Sequence, residues 1–89
     1  MAKHWTILYT KDALKDKRLA YEAGFQNKIE GLIQLLKVDP FKSYPPYEKL
    51  LGDLSGAYSR RINVQHRLVY SIHKEEMKVK IISLWTHYE

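Results

Sequence analysis

At 89 residues, with 45% hydrophobic and 12% aromatic side chains, the chain can fold around one small core; disorder and a two-domain layout are both excluded. A single domain over residues 1–89 is expected. Fifteen Lys and Arg against ten Asp and Glu give a formal charge of +5, which fits a polyanion or an acidic protein as partner and equally an ordinary basic surface. The absence of cysteine excludes disulfides and Cys-based zinc sites, and no apolar run approaches the ~20 residues that span a bilayer. Residues 1–6 carry no apolar segment after Lys3, so secretion is not expected and a cytoplasmic location is.

Trp5, Ile7 and Tyr9 alternate with His4, Thr6 and Leu8, which predicts a first strand. Thr10 is placed to cap a helix from Lys11 to about Ala23, with Ala13, Leu14, Ala20 and Tyr21 facing inward. Gly24 breaks that helix. A second one runs from about Phe25 to Lys37, where Phe25, Ile29, Leu32, Ile33 and Leu36 form one apolar stripe. Asp39-Pro40 ends it, because proline pushes the preceding residue out of the α region. Residues 40–56 read as a loop carrying Pro45-Pro46-Tyr47-Glu48, long enough in so small a domain to point to function. Strands follow at about 57–63, 66–73 and 77–87, joined by tight turns that favour antiparallel pairing. The order β-α-α-β-β-β predicts an α+β domain, a two-helix hairpin packed on a small, mainly antiparallel sheet.

Five positions carry candidate chemistry. A three-residue turn at 63–65 would set Arg61 and Arg67 directly opposite each other on one sheet face. Like charges so placed repel, and a bound phosphate would offset the repulsion; two solvated arginines satisfied by nearby acids is the competing reading. Glu48, behind two prolines, is a candidate base for a ribose 2′-hydroxyl, or else a loop acid or the start of a short helix. His87 follows the apolar run Val79–Trp85 and has the proton affinity to act as an acid at neutral pH; a surface tail residue is its alternative. Tyr88 is adjacent and faces the other way if the strand continues. His4, His66 and His73 do not have metal-ligand spacing, so no metal and no cofactor is expected. Lys11, Lys15, Lys17, Arg18 and Lys28 read as solvated helix faces.

Taken together, Leu54-Ser55-Gly56, Tyr58-Ser59-Arg60-Arg61-Ile62, His66-Arg67-Leu68-Val69-Tyr70, Asp39-Pro40-Phe41 and the terminal His87-Tyr88 resemble the YoeB/Txe family of bacterial toxins, within the RelE superfamily. The resemblance runs over essentially the whole chain. It implies a RelE-like fold and a metal-independent endoribonuclease that enters the ribosomal A site and cuts mRNA there in the bacterial cytoplasm. Its partners would be the ribosome, mRNA and a cognate antitoxin of YefM/Axe type, with a homodimer as a further possibility and no membrane. By the same resemblance Glu48 is the general base, His87 the acid and Arg67 the residue that stabilises the scissile phosphate. Arg61 is a second basic residue beside it, and Tyr88 shapes the site. The family pattern has a lysine three residues after the glutamate, where this chain has Leu51; Lys49 is the nearest residue able to supply that charge.

The mechanism so implied is transesterification, yielding a 2′,3′-cyclic phosphate and a 5′-hydroxyl. Three alternatives stand beside it: a ParE-like toxin of the same fold directed at gyrase, an RNA- or ribosome-binding module that does not cleave, and an inactive chain acting with its antitoxin as a co-repressor.

Overall fold

The computed structural model describes residues 4–52 and 56–87, with the backbone alone at 86 and 87. The chain runs β1 (Thr6–Tyr9), α1 (Lys11–Glu22), α2 (Gln26–Val38), β2 (Tyr47–Lys49), β3 (Ala57–Arg61), β4 (His66–His73) and β5 (Lys78–His87). The strands form one sheet in the order β1-β5-β4-β3-β2; β1 pairs parallel with β5 and every other pair is antiparallel. The α+β class, the helical hairpin and the mainly antiparallel sheet are those expected from the sequence. One element was not: β2 lies inside the stretch read as loop, so Glu48 sits on a short edge strand.

Local chemistry sets the helix ends. Thr10 Oγ1 accepts from the Ala13 amide at 3.0 Å and donates to the Ile82 carbonyl at 2.7 Å, so one hydroxyl both caps α1 and ties it to β5. Gly24, at φ +91°, ends α1: its amide bonds the Tyr21 carbonyl and that of Phe25 reaches back to Ala20, the paired closure that a left-handed residue permits. Asp39 closes α2, its carboxylate accepting from the Phe41 amide at 3.0 Å.

The core lies between the helices and one sheet face. Ile29, Leu32, Ile33 and Leu36 of α2 are buried, as the stripe predicts, together with Leu68, Tyr70, Val79, Ile81 and Leu84 of the sheet. On α1 the small residues Ala13 and Ala20 are fully buried, which allows the helix to approach β5 closely. Leu14, expected inward, is 53% exposed. The buried face of α1 instead includes Asp16, whose carboxylate accepts from the Leu84 amide at 3.2 Å, and Leu14 lies well round the helix from that line. Thr10 and Asp16 thereby satisfy β5 backbone groups beyond the end of its pairing with β1. The opposite sheet face carries a smaller cluster of Leu50, Ala57 and Val69, with Ile82 packed against it.

Candidate active site

Strand alternation builds the site. Along β3, Tyr58 and Arg60 face the helices, while Ala57, Ser59 and Arg61 face the other way. Arg61 is paired with Arg67 across the β3–β4 turn, as the three-residue spacing predicts. Asn63 shapes that turn: its side-chain oxygen accepts from the amides of Gln65 at 2.8 Å and His66 at 2.7 Å. Glu48 stands opposite Ser59 on β2, which puts its carboxylate on the same face as the two arginines.

The result is one coupled group. Arg67 Nη1 lies 3.1 Å from Glu48 Oε1 and 3.4 Å from Ser59 Oγ. The Arg67 side chain is only 14% exposed whereas that of Glu48 is 61% exposed, so the cation is held in the wall and the carboxylate is open to a ligand. A cleft of about 530 Å³ opens over them, lined by Lys28, Pro45, Pro46, Glu48, Arg61 and Arg67, with Val64 at the turn. Lys28, read from the sequence as a solvated helix residue, thus adds a third cation from the first turn of α2. No sequence signal distinguished it from the other exposed lysines, because its position depends on how α2 packs over the loop.

Lys49 does not join this group. It pairs with Tyr58 on β2 and, by alternation, faces away from Glu48. Leu51, at the position of the family lysine, is 86% exposed. The His87 backbone is paired with His66, next to the pairing of Arg67 with Thr86. Two register shifts between β4 and β5 and a positive φ of 68° at Trp85 turn the end of β5, and the Trp85 ring stacks on His66 at 3.8 Å. Tyr88 lies outside the described residues, as do Leu54 and Ser55 of the sequence motif.

Sequence reasoning missed Arg60. It is fully buried and its guanidinium bonds the Tyr70 hydroxyl at 2.9 Å and the carbonyls of Pro40 at 3.1 Å, Lys42 at 2.7 Å and Pro45. The rings of Tyr47 and Tyr70 lie 4.9 and 5.9 Å from it. Burial pushes the Tyr70 phenol up to about 12, against the opposing pull of the Arg60 charge and hydrogen bond. Among the described residues no cluster of three or more His, Cys, Asp or Glu side chains is arranged to hold a metal, and no helix is long and apolar enough to cross a membrane.

A helical hairpin on a five-stranded sheet, with a cationic cleft at its β2–β4 end, is the architecture shared with solved toxins of YoeB/RelE fold. A solved YoeB/ParE toxin from Agrobacterium tumefaciens superposes with a TM-score of 0.83 at 30% identity, covering 93% of this chain and 99% of that one. The YoeB of a YoeB–YefM heterotetramer from Staphylococcus aureus does so with a TM-score of 0.78 at 31% identity, over 94% and 98%; that protein is also known as a dimer. Toxin YoeB of Synechocystis sp. is 44% identical over 62 residues, 70% of each chain. The profile of the YoeB-like toxin of bacterial type II toxin-antitoxin system matches residues 9–88. The chain belongs to that family, and is the toxin component of a type II toxin–antitoxin system.

Proposed function

We propose that this toxin is a metal-independent endoribonuclease that cuts mRNA in the ribosomal A site, with Glu48, Arg67 and His87 as its catalytic residues. The observation that carries the reading is the Glu48–Arg67 contact at 3.1 Å in a cleft where Arg61 and Lys28 supply further positive charge. An RNA phosphate entering that cleft exchanges one anion for another on Arg67: the guanidinium turns from Glu48 to the non-bridging oxygens. Glu48 is then free to take the proton from the ribose 2′-hydroxyl. The 2′-oxygen attacks phosphorus, the bond to the 5′-oxygen breaks, and His87 protonates the leaving oxygen. Arg67, with Arg61, stabilises the charge that builds on the phosphorane, the interaction that usually contributes most in such sites.

Tyr88 is proposed to shape the site or orient the nucleotide. The role assigned to Lys49 is reduced to general attraction for the polyanion, because it faces away from Glu48. The similarity to a YoeB that assembles with YefM supports an antitoxin of that type as partner, and the relative's dimer supports self-association. The toxin acts in the cytoplasm, where ribosomes and mRNA are.

The chemistry is tested with an RNA carrying a single 2′-deoxy substitution at the cut. That substrate should resist cleavage, and the unmodified one should yield a 2′,3′-cyclic phosphate. Cleavage of the deoxy substrate at an unchanged rate would remove the transesterification mechanism.

A further inference from the structure

We infer that Arg60 is the positioning residue of the cleft: its buried guanidinium fixes the 40–46 segment and thereby sets where Glu48 stands relative to Arg67. The inference rests on the reading of Glu48 as the base, and names the group that holds that base in place.

Pro40, Pro45 and Pro46 lack backbone donors, so this stretch cannot be laced to the sheet by its own amides. Its remaining internal bonds are local, from Phe41 and Lys42 back to Asp39. Among the described residues, the hydrogen bonds that tie 40–46 to the sheet all come from Arg60, which reaches the carbonyls at 40, 42 and 45. Four of the five guanidinium N–H donors are used, counting the bond to Tyr70, and the face of Tyr47 covers the group.

Register converts this grip into placement. Arg60 pairs with Tyr47 on β2, and the next pair along is Glu48 with Ser59. The guanidinium therefore clamps the inner side of the strand one residue before the carboxylate leaves on its outer side. β2 has only three residues at the sheet edge, too few to hold a fixed position by ladder bonds alone. A buried cation with no carboxylate partner among the described residues is costly unless its dipolar partners are fixed, so loop and guanidinium order one another. Lysine cannot substitute: its single ammonium does not reach three carbonyls spread over six residues together with a phenol.

Arg60→Lys in the full-length toxin is the test, read in two ways. In single-turnover cleavage the rate constant should fall about 10- to 100-fold with RNA affinity within a few-fold, the size of effect that a displaced catalytic group produces. In a Glu48→Ala background the same substitution should change the residual rate by less than about threefold, because the group it positions is already gone. The same fold-loss in both backgrounds would overturn the inference. If Glu48→Ala itself leaves cleavage intact, the catalytic reading of Glu48 fails, and amide hydrogen exchange decides the positioning claim alone. Exchange should quicken at Lys42 and at Leu50, whose amide bonds the Ala57 carbonyl, while Val79 and Ile81 stay protected. Uniform acceleration, or none at Lys42 and Leu50, would overturn it. Should Arg60→Lys not fold, Tyr70→Phe removes one partner of the clamp and should produce the same local pattern at smaller amplitude; its absence there counts equally against the inference.

Discussion

Arg67 and Glu48 meet at 3.1 Å across three strands, with Ser59 between them at 3.4 Å from the same guanidinium nitrogen. Neither partner of this contact is a core residue, yet the whole β2–β3–β4 register is needed to form it. An ion pair with one partner 61% exposed contributes at most about 1 kcal/mol to folding. In the proposed reaction its value lies in the chemistry.

Glu48→Ala should therefore separate activity from stability. Cleavage is expected to fall about 10²- to 10⁴-fold, while the unfolding free energy changes by no more than about 1 kcal/mol. Arg67→Ala should lose as much activity or more, and Arg67→Lys should recover only part, because a point charge cannot make the bidentate contact with phosphate. Kinetics and denaturant unfolding on the same preparations check both halves.

The Tyr70–Arg60 contact gives an alkaline signature. Tyr70 titrates at about 12 in the folded chain, against its ordinary 10.0 when unfolded. Between those values the unfolded state has released a proton that the native state keeps, so stability falls as pH rises from about 10 toward about 12, by on the order of 2 kcal/mol. Below pH 10 this contribution is fully present. Tyr70→Phe should abolish that limb of the stability–pH curve while lowering stability at neutral pH by about 1–3 kcal/mol, since Arg60 loses an acceptor. An unchanged alkaline limb in the variant would assign the titration to another group.

Thr10 tests how α1 is fastened. Its hydroxyl serves the Ala13 amide and the Ile82 carbonyl together. Thr10→Ala should cost about 1–2 kcal/mol in chemical denaturation, and Thr10→Ser should restore most of it. Equal losses in both variants would point to the methyl group.

Leu51→Lys restores the lysine of the family pattern at a position 86% exposed. Stability should stay within about 0.5 kcal/mol. RNA affinity should rise and its logarithmic dependence on salt should steepen by about 0.7, one further phosphate contact on single-stranded RNA. An unchanged salt slope would locate residue 51 away from the bound strand.

The two helices and three longer strands were legible because each repeats its apolar pattern for several turns or pairs. The facing of Arg61 and Arg67 followed from turn length alone. β2 was hidden: three residues after Pro45-Pro46 show no periodicity, and the strand exists only because β3 offers it an edge. Arg60 was missed although the same alternation carried the signal. Once Arg61 and Arg67 are set on the open face, Arg60 must point with Tyr58 and Tyr70 into the core. Residue type argued against it, since arginine is rarely buried, and the carbonyl partners come from a loop whose path no local pattern records. The inward placement of Leu14 failed because Asp16, serving a β5 amide, takes part of the buried face of α1.

Primer extension on translating ribosomes, comparing the wild-type toxin with a Glu48→Ala/His87→Ala variant, decides whether this toxin cuts mRNA in the A site. A new mRNA end at the A-site codon is expected with the wild type and none with the variant. Arrested growth or translation with no new mRNA end would contradict it, and would point to gyrase or to a ribosome binder that does not cut.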